Sequence, residues 1–138
     1  ELPQLINVFK GDMSLVGPRP ELKLFTDLYD KKEKEILLIK PGITDISSLV
    51  FRNESDFLKE DTNPEFLYLN YILPFKLKLG LVYKNNAHLI NDLNILLITF
   101  LIIFFNKKLL ISNFIIEKSF RKEIYQIEKQ IKIFEIRD

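Results

Sequence analysis

Cysteine is absent from the 138-residue chain, so neither a disulfide scaffold nor a thiolate metal site is open to it. Histidine occurs once, at His88, which excludes a histidine-rich zinc centre and leaves any metal to oxygen ligands. An excess of one charge sign is missing as well: 20 Lys and Arg oppose 19 Asp and Glu, for a formal net charge of +1. That balance does not build the broad basic field of a non-specific nucleic-acid binder, so no nucleic-acid partner is expected. The opening residues lack the basic flank and apolar run of a signal peptide. The most apolar stretch, Leu89 to Phe105, falls short of the about 20 residues that a membrane span needs. No internal repeat or low-complexity linker divides the chain, and its length suits one core.

The pattern that is present is mostly helical. Leu2, Leu5, Ile6 and Phe9 recur at the spacing of one helix face, with Gly11 as a stop. The chain thus opens in mid-helix without an initiating Met, and further sequence is expected upstream. In the segment that follows, Gly17, Pro18 and Pro20 forbid regular helix, and Pro20 pushes Arg19 towards an extended conformation. Residues 21–38 return to a charged helical pattern, as one bent helix or two short ones around Asp30, before the turn at Lys40, Pro41 and Gly42. The β-branched run from Ile43 to Phe51 predicts a short strand or an extended loop. Asn63 followed by Pro64 signals a helix start, and Pro74 demands a kink or break in the helix that follows. Leu89 to Phe105 predicts a helix that is buried or lies in a bilayer interface, preceded by Lys76 and Lys78 and followed by Lys107 and Lys108, which suit anionic headgroups. At the C-terminal end, Phe120, Ile124, Ile127, Ile131 and Phe134 recur at alternating spacings of four and three. That helix can pack on the core, lie on lipid or pair with another chain.

Arg19 is the sharpest chemical feature, since a guanidinium fork on a loop stiffened by two prolines binds phosphate bidentately with little ordering cost. The same residue also serves as a plain loop arginine paired with a nearby carboxylate. Glu1, at a helix start, suits either the helix dipole or a hard cation such as magnesium. Arg52 and Asn53 offer polar contacts to a nucleotide or simply solvate a turn. Asp92 either caps the apolar helix or serves a site.

Taken together, ELPQLINVFKGDMSLVGPRPE at residues 1–21, KPGIT at 40–44, FRNES at 51–55, YILPFKLKLGLVY at 71–83 and NDLNILLITFL at 91–101 closely resemble the bacterial sugar transferase family. Its members are polyprenyl-phosphate sugar-1-phosphate transferases, or monotopic phosphoglycosyl transferases. The resemblance covers residues 1–105 as a catalytic portion lacking its N-terminal part, and leaves 106–138 as an amphipathic helical tail. It implies transfer of sugar 1-phosphate from a UDP-sugar donor to undecaprenyl phosphate, starting glycan assembly on the cytoplasmic face of the bacterial inner membrane. In the family an Asp-Glu pair supplies the nucleophile and a magnesium ligand. Glu1 matches the Glu, as a catalytic and Mg2+-binding residue, and the Asp is expected one position earlier, so the chain alone is expected to be inactive. Arg19 matches the arginine implied to contact donor phosphate, Arg52 and Asn53 fall in a substrate-binding stretch, and Asp92 matches the aspartate of the family's late helix. Two positions depart from the pattern: Asp45 stands where a glycine usually follows PGIT, and Asn94 stands where a lysine is usual.

The resulting expectation is an α+β, predominantly helical, compact domain with amphipathic helices at the membrane surface and little strand. Its expected partners are membrane lipids, besides the donor and acceptor, and a second copy through the C-terminal helix. The alternative is a non-catalytic membrane-surface or protein-interaction module derived from that family.

Overall fold

A computed structural model describes residues 2–52, 63–105 and 118–135. Helix α1 (Leu2–Lys10) ends at Gly11, whose φ of 81° is the left-handed turn that glycine enters without a Cβ penalty. Strand β1 (Ser14–Val16) follows, then α2 (Lys23–Thr26) and a 3-10 segment, Glu33–Leu38. Strand β2 (Gly42–Thr44) leads into α3 (Ile46–Val50). After 53–62 come α4 (Pro64–Leu67), a π-helical turn (Tyr68–Ile72) and α5 (Leu73–Asn85). The long helices α6 (Leu89–Phe105) and α7 (Lys118–Glu135) complete the described chain. The fold is therefore α+β and mainly helical, as expected.

Among the described residues the sheet is a single parallel pair, with Ser14 opposite Gly42 and Val16 opposite Thr44. The strand β1 lies inside the segment that its glycine and prolines mark only as non-helical. A three-residue strand gives too short an alternation to be read locally. The run from Ile43 to Phe51 divides where the sequence suggests one extended piece: only its start pairs, and Asp45 then caps α3 by accepting from the Ser48 N–H at 2.7 Å. The residue that departs from the family pattern at 45 thus acts as a helix cap. At the predicted helix start, Asn63 accepts from the Phe66 N–H at 3.2 Å. The disturbance expected at Pro74 takes the form of the π-helical turn just before it, after which the helix continues.

Two apolar clusters hold these elements. The larger joins Val16 and Ile46 to Leu79 and Tyr83 of α5, to Ile95, Ile98 and Ile102 of α6, and to Phe120, Ile124, Ile127 and Ile131 of α7. The face of α7 that its spacing offers to a second copy is therefore occupied by the chain's own core. Thr99, which interrupts the apolar run of α6, faces β2 and shares a hydrogen bond of 3.0 Å with Thr44. The smaller cluster joins Tyr29, Ile36, Tyr68, Ile72, Leu73 and Leu77, and Phe51 packs against both. Helix α6 buries only one face: Leu89, Ile90, Leu93, Leu97, Phe100, Ile103 and Phe104 are all more than half exposed. The apolar face of α1 is likewise open, with Phe9 at 91% exposure. No described helix is long and apolar enough to cross a membrane.

Candidate functional site

A cavity of about 790 Å³ opens over the smaller cluster. The Pro18 to Glu21 loop forms one side, and Asp45, Ser47 and Ser48 at the start of α3 form another. Phe25, Tyr29, Phe51 and Tyr68 supply aromatic wall, while Arg19, Arg52 and Lys76 supply positive charge. An apolar, concave space of this size with a few convergent polar groups is the usual form of a small-molecule site.

The loop carrying Arg19 is positioned by the meeting of two glycines. The Gly17 N–H donates to the Thr44 carbonyl at 3.0 Å, and the Gly42 N–H donates to the Pro18 carbonyl at 3.2 Å. The backbones pass so closely that a Cβ on Gly42 would lie 2.1 Å from the Gly17 nitrogen, and one on Gly17 would lie 2.5 Å from the Lys40 carbonyl oxygen. Glycine at both positions is thus a requirement of the approach. It explains why the GPRP and KPG segments work together although 22 residues lie between Gly17 and Lys40.

Of the expected site residues, the structure brings Arg19 and Arg52 to the same cavity. Arg52 also donates through Nη1 to the Ile102 carbonyl of α6 at 3.4 Å. Glu1 and Asn53 lie outside the described residues. Asp92 is not part of the cavity lining; it accepts a 2.8 Å hydrogen bond from the Tyr83 hydroxyl, which also lies 3.3 Å from the Val16 carbonyl oxygen. It thereby ties α6 to α5 and β1. Lys107 and Lys108 also fall outside the described residues, whereas Lys76 turns out to line the cavity.

Sequence reasoning missed Glu21 and Tyr68 altogether. The Tyr68 hydroxyl donates to Glu21 Oε1 at 2.7 Å, and Lys76 Nζ lies 3.9 Å from that same oxygen and 3.5 Å from the Tyr68 hydroxyl. One local signal was at hand: Glu21 directly follows Pro20, so it shares the stiffened loop of Arg19.

Among the described residues no group of three His, Asp or Glu side chains is placed to hold a metal. The Asp45 carboxylate is engaged by Ser47 and Ser48, and that of Glu21 by Tyr68 and Lys76.

Burial, then the nearby Glu21 and Glu33 carboxylates, push the Tyr29 phenol up to about 12, because each disfavours phenolate. Burial and the hydrogen bond to Asp92 raise Tyr83 in the same direction. The fold favours the neutral phenol, so the stability that Tyr29 carries is complete below the ordinary value of about 10 and is lost as pH rises towards about 12. In an alkaline absorbance titration, Tyr29 and Tyr83 should ionise well after pH 10. Tyr29→Phe and Tyr83→Phe should each shorten that late phase.

Sequence comparison gives the class: the chain belongs to the bacterial sugar transferase family, whose model matches residues 1–106. It is 38% identical over 99 residues to the protein named "Uncharacterized sugar transferase EpsL" of Bacillus subtilis strain 168, covering 72% of this chain and 41% of that protein. Over 74 residues it is 36% identical to the UDP-N-acetylgalactosamine-undecaprenyl-phosphate N-acetylgalactosaminephosphotransferase of Aeromonas hydrophila, covering 50% of this chain and 18% of that protein. Over 57 residues it is 47% identical to the undecaprenyl-phosphate galactose phosphotransferase of Salmonella typhimurium strain LT2, covering 41% of this chain and 12% of that protein. The chain thus spans less than half the length of these relatives. No solved structure matches it.

Proposed function

We propose that this chain forms the donor-phosphate-binding portion of an enzyme that transfers sugar 1-phosphate from a UDP-sugar to undecaprenyl phosphate, at the start of surface-glycan synthesis. The observation that carries the reading is Arg19, on its doubly proline-flanked loop, lining one cavity with Arg52 in a chain of this family. A guanidinium so placed offers a fixed fork to the donor diphosphate, and positive charge that stabilises the phosphoryl oxygens as the bond to the leaving nucleotide breaks. The aromatic walls suit a nucleoside and sugar. Relatives named for galactose and for N-acetylgalactosamine support the acceptor and donor class, and their difference leaves the sugar to the shape of the pocket.

The resemblance implies an aspartate nucleophile beside Glu1, and Glu1 itself would be the residue to hold magnesium. The exposed apolar face of α6 supports placement on the cytoplasmic surface of the bacterial inner membrane, with that face against lipid.

The test is an assay of UMP release from a panel of UDP-sugars with undecaprenyl phosphate and magnesium. It uses a membrane-bound form that carries the upstream aspartate and membrane helix. Release that depends on Glu1 and Arg19 supports the transferase and names its sugar. A folded, membrane-bound form that releases no UMP would instead favour the non-catalytic membrane-surface module.

A further inference from the structure

The Arg19 loop is fixed at its start by the Gly17 and Gly42 approach. Its end is fixed differently. Glu21, the residue after Pro20, accepts the Tyr68 hydroxyl at 2.7 Å. Tyr68 is itself immobilised: it is only 8% exposed, its ring centroid lies 5.1 Å from that of Phe25, and Lys76 Nζ sits 4.9 Å from its own ring centroid. Lys76 Nζ also lies 3.9 Å from Glu21, so positive charge stands beside the carboxylate. Tyr68 begins the π-helical turn, a rare geometry that recurs at functional sites.

We propose that Glu21, Tyr68 and Lys76 are positioning residues for Arg19: together they clamp the far end of its loop, so that the cavity meets a diphosphate with the guanidinium already in place. This rests on the reading of Arg19 as a donor-phosphate ligand. The clamp does two things at once. Fixing Glu21 removes the backbone freedom that a loop between two prolines would otherwise keep on its open side, so less order must be created on binding. Placing Lys76 beside Glu21 offsets a carboxylate that stands two residues from Arg19 and would repel the incoming phosphates. Lys76 acts through Glu21 and Tyr68, and needs no contact with the ligand.

The variant that isolates the clamp is Tyr68→Phe, which keeps the ring against Phe25 and Lys76 and removes only the hydroxyl. In the 138-residue chain, UDP affinity measured by calorimetry should fall roughly three- to tenfold, the scale of the net worth of one ordinary hydrogen bond. The 15N order parameters of the Arg19 and Glu21 amides should drop from about 0.85 towards 0.6 or below, while those of α5 stay unchanged. Glu21→Gln, which keeps an oxygen acceptor for Tyr68, should retain more affinity than Glu21→Ala, and this pair gives the same reading if Tyr68→Phe fails to fold. Unchanged affinity and unchanged order at Arg19 and Glu21 would overturn the clamp, as would a loss of order spread through α5. Arg19→Ala separates the two readings. If it abolishes UDP binding while Tyr68→Phe changes nothing, only the clamp is wrong; if it leaves UDP binding intact, or the unaltered chain binds no UDP, the donor-phosphate reading falls and the clamp's purpose with it.

Discussion

Arg19→Ala, made in the membrane-bound form with its upstream aspartate, should lower kcat/KM by about 10² to 10³, the loss typical of removing one fixed donor from developing charge. The size of the effect follows from where Arg19 sits. Its loop is held by the backbone meeting of Gly17 with Gly42 and carries a proline on either side, so the backbone that presents Arg19 to the cavity is fixed before the substrate arrives. Arg19→Lys should recover only a small part of the rate, because an ammonium keeps the charge and loses the bidentate fork. Arg52→Ala offers the comparison: Arg52 lines the same cavity but stands on a turn beside α6, outside the proline-stiffened loop, and its loss should fall mainly on KM. Steady-state UMP release over a range of UDP-sugar concentrations separates the two patterns. An Arg19→Ala enzyme with unaltered kcat/KM would remove the main support for the transferase reading.

Among the four glycines, the change to alanine should be most destabilising at Gly42. The new Cβ would lie 2.1 Å from the Gly17 nitrogen, 2.5 Å from the Gly17 oxygen and 2.6 Å from the Val16 carbonyl carbon, all of them backbone atoms. No side chain can rotate away to make room. The two strands must separate, which breaks the hydrogen bonds from Gly17 to Thr44 and from Gly42 to Pro18 and opens the larger core at Val16. Overpacking of a core typically costs about 1–3 kcal/mol, and a clash confined to backbone should reach about 3 kcal/mol or more. For a domain of this size that is a fall of about 10 °C in melting temperature, readable by circular dichroism. A cost under about 1 kcal/mol would show that the strands have slack that the structure does not display.

What the sequence made legible was periodicity. Helices α1, α6 and α7 follow from apolar residues recurring at three and four, and α4 follows from the Asn63 and Pro64 pair. The features it hid are those whose cause lies elsewhere in the chain. Strand β1 exists because β2 lies beside it, and three residues carry no pattern of their own. Helix α3 was masked by β-branched composition that the Asp45 cap overrides. In the site, Arg19 could be picked out because its two prolines are its neighbours. Glu21 and Tyr68 stand 47 positions apart, so only the fold shows that they are bonded. Lys76 looked like a lysine for headgroups because its place ahead of the apolar run from Leu89 to Phe105 was visible and the carboxylate facing it was not.

The packing of α7 has a consequence for where this protein can be cut. The family match spans residues 1–106, and the buried cluster that begins at Val16 is completed by Phe120, Ile124, Ile127 and Ile131. The interior is therefore not complete within the matched residues alone. A piece trimmed to the matched residues would keep every motif of the resemblance and lose one wall of the interior beneath them.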